Sequence, residues 1–403
     1  MIVPHPYYRL NPKRAIYVSG KIDRELVYRL TPQIIELQAQ NRDPITVYID
    51  SPGGVVASAE ALLKLLKFSD QNSTPSCHII TAVTGQAGSA AADLLSSGDY
   101  STAFPASDIV YHGVRIGDDS PLTLERTSML ANLLRTSNDI YANELARKIE
   151  DRFSLRYVYA REHFDSIRKE AGDGGMSDVQ VFVDHFVPDK LSPKANQVWK
   201  KARERYFTYN KLFRAGYEKM KKLKGEKSAA ALEGVNIKAI VDFEVKQHKD
   251  EPKWRFRNQG MARLVEDFFL LDEYETAFQG KRLRKWSTSW AKYLLPEEEF
   301  AAISAIANET ERTDQLVEKV GPLMSPVLGF FAALCHALQE GENSLTATDA
   351  YWLGLIDEVI GESSLMSLRT IEEFKPDEAA PTAEEKAPAV EKVAANQAVT
   401  AGT

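Results

Sequence analysis

Two periods alternate through the first hundred residues. Short runs rich in β-branched and aromatic side chains, Ala15-Ile16-Tyr17-Val18, Ile45-Thr46-Val47-Tyr48-Ile49 and Cys77-His78-Ile79-Ile80-Thr81-Ala82-Val83, read as largely buried strands. Between them the apolar positions recur at helical spacing. Leu26, Val27, Leu30, Ile34 and Leu37 form one stripe behind the capping Asp23, with a kink expected at Pro32. Ala57, Ala59, Leu62, Leu63, Leu65 and Leu66 belong to a second helix, and a small-residue helix runs through Leu94 and Leu95. Three strand–helix units in succession predict an α/β fold with a parallel sheet covered by helices.

Two further short strands are expected at Tyr100–Pro105 and Ser107–Gly113. A long helix opens on Ser120 and Pro121, with Leu130, Leu133, Leu134, Tyr141, Leu145 and Ile149 as its apolar stripe. From 151 to 321 helical periods dominate, and residues 365–403, mostly Ala, Pro, Glu, Lys and Val, read as a disordered tail. Residues 190–260 carry an excess of eleven positive charges, with Trp199, Tyr206, Phe207, Tyr209, Phe213, Tyr217, Trp254 and Phe256 interleaved. Such a stretch fits a nucleic-acid or acidic-partner surface. It fits amphipathic helices with an aromatic core face better, because lysine-rich helix exteriors are common.

Composition sharpens this picture only in places. A chain of 403 residues, 44% hydrophobic and 27% charged, can hold two or three domains with a sizeable core. Its net charge of −7 argues against a whole-protein nucleic-acid binder. Cys77 and Cys335 lie in apolar runs without metal-ligand spacing, so they and His336 read as structural. The start lacks the basic region and apolar core of a signal peptide. The apolar run Val320–Leu338 is broken by Pro322 and Pro326, which favours a buried helix over a membrane span. A reducing cytoplasm is the expected location.

The candidate chemistry lies where strands turn into helices. Ser89, in Thr84-Gly85-Gln86-Ala87-Gly88-Ser89-Ala90-Ala91-Ala92, stands where the first N–H groups of a helix have no internal partner. Its hydroxyl could attack an acyl carbon while those donors hold the oxyanion. A serine at a helix start is more often simply an N-cap. Ser51-Pro52-Gly53-Gly54 follows the second strand and leaves bare backbone to which an extended substrate could pair, or forms an ordinary turn. His112 ends the fifth strand and could be a general base or a structural group.

Together these motifs resemble the proteolytic subunit of the Clp protease, within the ClpP/crotonase superfamily. Gly85-Gln86-Ala87-Gly88-Ser89-Ala90 is similar to that family's nucleophile motif. Phe104-Pro105 with Ile109-Val110-Tyr111-His112 is similar to its histidine strand, and Leu345-Thr346-Ala347 through Leu353-Gly354-Leu355-Ile356-Asp357 to its closing segment. The resemblance implies a repeated β-β-α spiral with a large, mostly helical insertion: a discontinuous peptidase domain, 1–150 plus 322–364, around 151–321. It implies Ser89 as nucleophile, His112 as base, and the N–H groups of Gly54 and Ala90 as oxyanion hole, with the substrate strand pairing beside Gly53 and Gly54. Glu342 occupies the place of the family's aspartate. No cofactor or metal is implied. The implied partners are a peptide or unfolded-protein substrate, further copies of the chain and an ATPase unfoldase, with neither membrane nor nucleic acid. A crotonase-like acyl-CoA enzyme and a non-catalytic subunit or scaffold are the alternatives.

Overall fold

The structure, a computed structural model, describes residues 8–68, 76–115, 123–207 and 283–368. Strands β1 (Ala15–Ser19), β2 (Ile45–Ser51) and β3 (Ile79–Gly88) lie parallel and adjacent. They are followed in turn by α1 (Arg24–Gln40), α2 (Val56–Leu66) and α3 (Ala90–Ser96). The α/β expectation therefore holds, and its helical stripes point inward: Leu26, Leu30, Ile34 and Leu37 of α1 are buried. Pro32 sits within α1 on its exposed side, where the carbonyl left without a donor can meet water.

The third strand is longer than the pattern predicts. It continues past Val83 to Gly88 because Ala87 pairs with Ser51 of β2, and Gln86–Gly88 with Asp108–Val110 of β5 (Asp108–His112). On that same side, Ile80–Val83 pair with β4 (Tyr100–Ala103). So β3 forks, with β4 along its first half and β5 along its second. The two-residue β7 (Glu358–Val359) extends the sheet beyond β4, and β6 (Glu342–Thr346) runs antiparallel to β5. The fork positions the site, because it sets the ends of β3 and β5 side by side: the Ser89 amide donates to the Val110 carbonyl at 2.8 Å.

Helix α4 (Leu124–Arg161) starts at Leu124, capped by Thr123, whose hydroxyl accepts from the Arg126 amide. The expected start at Ser120 and Pro121 lies outside the described residues. Its first half leaves Leu124, Met129 and Leu133 exposed, whereas Leu145, Ile149, Phe153 and Tyr157 are buried. Phe153 stacks on Phe331 of α5 (Glu309–Leu338) at 4.5 Å between ring centres. The positions read as insertion boundaries, 151 and 321, thus fall inside two helices with buried side chains on both sides of each: Ile149 and Phe153, Val320 and Val327.

Helix α5 bends by 52° between Glu309–Met324 and Pro326–Leu338. Pro326 has no N–H to continue the ladder, which accounts for the bend. Val327, Leu328 and Phe330–Leu334 are all buried, so this apolar run serves the core. Among the described residues no single helix is long and apolar enough to cross a membrane. Trp199 and Tyr206 are also buried, and the Trp199 indole donates to the Val183 carbonyl at 2.8 Å. The other aromatics of the basic stretch from Tyr209 onward, and the tail beyond 368, lie outside the described residues. Residues 365–368 still pack, with the Met366 carbonyl accepting from the Tyr351 hydroxyl.

Candidate active site

Two glycine turns meet here in backbone contact. Gly53 and Gly54 have φ of +93° and +159°. A Cβ on Gly53 would lie 2.3 Å from the Gly88 carbonyl oxygen and 2.7 Å from the Ser89 Cβ. One on Gly88 would lie 2.9 Å from the Pro52 carbonyl oxygen. Only bare backbone fits at this crossing. Ser51 ties the turn down, accepting from the Gly53 amide and donating to the Gly20 carbonyl. The neighbours of Gly54 complete a parallel bridge to Ile22: Ile22 donates to the Gly53 carbonyl and Val55 to the Ile22 carbonyl. The N–H of Gly54 itself is left facing the other way. Gly53→Ala is expected to cost roughly 2–4 kcal/mol in urea denaturation. A loss under about 0.5 kcal/mol would show that the two turns are not pressed together.

Ser89 has φ +53° and ψ −125°, and is the one non-glycine with positive φ among the described residues. Such a conformation costs on the order of 1–3 kcal/mol and persists only where its surroundings impose it. Here they do. Its amide is tied to Val110, and its carbonyl accepts from Ala92 and Asp93 at the start of α3. The side chain makes no capping hydrogen bond, so the simple N-cap role is not what Ser89 performs. The first amide of α3, that of Ala90, has no intrahelical acceptor.

His112 ends β5, and its Nδ1 lies 2.6 Å from the Gly113 carbonyl oxygen. A carbonyl only accepts, so Nδ1 carries the hydrogen and Nε2 keeps the lone pair. The loop that follows is held from α4, where Asn138 accepts from the Val114 amide at 2.6 Å. Gly54, Ser89, Ala90 and His112 line one cavity of about 240 Å³, together with Asp93, Arg115, Tyr141 and Gln339.

Glu342 is placed differently. The β5–β6 register sets it directly opposite His112, but its carboxylate lies 2.9 Å from the Arg115 guanidinium. Both side chains are about two-thirds exposed, at 64% for Arg115 and 69% for Glu342. The structure thus gathers Gly53, Gly54, Ser89, Ala90 and His112, while the Glu342 carboxylate stays on Arg115. Asp93 is the residue that sequence reasoning passed over. It stands three positions after Ala90 and so on the same face of α3, which is the signal that could have found it. Burial raises its carboxyl to about 6; Lys148 pulls it down, Glu144 pushes it up and His112 pulls it down. Among the described residues no group of three His, Cys, Asp or Glu side chains could hold a metal ion.

A hydroxyl on a strained strand-to-helix turn, sharing a cavity with an imidazole and two free amides, is equipment suited to acyl transfer. The model of the family described as Clp protease matches residues 3–151. Over that stretch, which contains Gly53, Gly54, Ser89, Ala90 and His112, the chain is Clp protease-like, as its motifs imply. Clp protease-like chains are in general peptidases.

Proposed function

We propose that this chain is a serine endopeptidase acting through an acyl-enzyme on Ser89. The observation that carries this reading is the placement of a non-capping, strained Ser89 in one cavity with His112 and the amides of Gly54 and Ala90. An extended substrate would lie beside Gly53 and Gly54, with the oxygen of its scissile carbonyl between the two amides. Ser89 Oγ attacks the carbonyl carbon while Nε2 of His112 takes the hydroxyl proton. Collapse of the tetrahedral species breaks the C–N bond, and His112 gives that proton to the departing amine. Water then repeats the sequence and releases the acid.

Full assignment of the fold as a repeated β-β-α spiral, of residues 1–150 plus 322–364 as the peptidase domain, and of 151–321 as an insertion belongs to this proposal. So do assembly with further copies, service by an ATPase unfoldase and a cytoplasmic location. The test is covalent: a fluorophosphonate should label the native, folded protein at Ser89, with the adduct located by mass spectrometry. Absence of label on folded protein would overturn the reading and leave the scaffold alternative. Tight binding of a CoA thioester in calorimetry would favour the crotonase-like one.

The proposed third member of the triad can be weighed separately. With its carboxylate on Arg115, Glu342 would act on His112 only through a weak, solvent-screened field. Glu342→Gln is therefore expected to lower kcat/KM by less than about tenfold, whereas loss of a true orienting acid costs about 10⁴-fold. A fall of the larger size would show that Glu342 turns onto the imidazole when substrate binds.

A further inference from the structure

The cavity at Ser89 has a side recess. Val56, Ala90, Asp93 and Tyr141 line both, and the recess continues between α2, α3 and α4 along Ala59, Glu60, Leu63, Leu94, Ser97, Glu144 and Lys148. Its position beside the Ala90 amide is where the side chain of the residue supplying the scissile carbonyl would go once that carbonyl is held. Its walls are apolar, but its charges are not balanced. Asp93, Glu60 and Glu144 face a single cation, Lys148. Glu60 and Glu144 stand at the exposed rim, while Asp93 is partly buried and its carboxylate has no hydrogen-bond partner among the described residues. The recess itself is small, about 40 Å³, which leaves room for a water-sized group such as an ammonium at its end.

Resting on the peptidase reading above, we propose that this recess selects a lysine side chain on the residue that supplies the scissile carbonyl, with Asp93 as the specificity-determining group. The lysine stem would run along Val56 and Leu63, and its ammonium would give the Asp93 carboxylate the charged donor it lacks. Partial burial strengthens that contact, because the Asp93 carboxylate has already lost part of its hydration. Norleucine has the same stem without the charge, so it isolates the contribution of the carboxylate.

Peptides that differ only in lysine or norleucine at that position test the proposal. The full-length protein is expected to show kcat/KM roughly 10- to 100-fold higher for lysine. Asp93→Asn should bring the ratio close to one, and Glu60→Gln should lower it severalfold. The second variant keeps the test open should the first fail to fold. The ratio should also climb between pH 5 and 7.5, since Asp93 ionises through about 6 while substrate lysine stays charged. Around Asp93 the other charged or titratable groups are Glu60 on α2, Tyr141, Glu144 and Lys148 on α4, and His112 on β5. The part His112 plays in the chemical step is common to both peptides and cancels in the ratio. If Ser89 takes no fluorophosphonate, the peptidase reading itself fails. If Ser89 is labelled and the norleucine peptide is cleaved as well as the lysine one, only the selectivity is overturned.

Discussion

Ser89→Ala is expected to lower kcat/KM for peptide hydrolysis by roughly 10⁴- to 10⁶-fold and to abolish fluorophosphonate labelling. The size follows from what the hydroxyl does in the proposed route: without it no acyl-enzyme forms, and the amides and imidazole can act only on a weakly held water. Stability gives an independent check. Alanine keeps a Cβ, so it inherits the cost of φ +53° that Ser89 bears, and its unfolding midpoint should stay near that of the native chain. Glycine has no such cost, and Ser89→Gly should be about 1 kcal/mol more stable than Ser89→Ala in urea, although equally inactive. Stability gained together with activity lost would mark the turn as strained for the reaction. Activity within tenfold of native in Ser89→Ala would remove Ser89 from the mechanism.

The parts of this site that the sequence made legible are those governed by neighbouring residues. Strand, glycine pair and helix in Ile45–Leu66, then strand, serine and helix in Ile79–Ser96, follow from local side-chain pattern and turn chemistry, and the structure builds both. The fork of β3 was not legible, because its second half is held by pairing with Asp108–Val110, some twenty residues on. Thr84–Gly88 therefore reads as a turn until its partner strand is known. The setting of Glu342 needed more still. The register that puts it opposite His112 follows once β5 and β6 pair, but its carboxylate goes to Arg115, a partner 227 positions away. At 151 the composition changes although the packing does not. Phe153 and Tyr157 continue the buried face of α4 begun by Leu145 and Ile149 across that position.

The same stretch of α4 holds a buried structural arginine. Arg152→Ala is expected to destabilise the protein by roughly 3–5 kcal/mol, the usual cost of removing one partner from a buried ion pair. The guanidinium is only 3% exposed and the Asp357 carboxylate 2%, with Nε 3.0 Å from that carboxylate. Nη1 donates to the Ser96 carbonyl at 3.1 Å, and Nη2 to the Gly98 carbonyl at 2.6 Å and the Ser101 hydroxyl at 2.9 Å. Asp357 also accepts from the Ser101 amide at 2.8 Å. One side chain thus joins the last turn of α3, the start of β4 and the residue before β7, and its charge suits the carbonyl end of α3. Lysine cannot reproduce this fork of donors, so Arg152→Lys should recover less than half of the loss. Replacing both partners by apolar residues, Arg152→Met with Asp357→Leu, should cost less than Arg152→Ala alone, because no charge is left buried without a partner. Urea denaturation of the three variants decides the matter, and a loss below about 1 kcal/mol for Arg152→Ala would mean that the clamp is not holding α3. Since Ala90 and Ser89 open that same helix, a weakened clamp should also slow fluorophosphonate labelling under conditions where the chain is still folded, which couples the fastening of α4 to the chemistry of the turn.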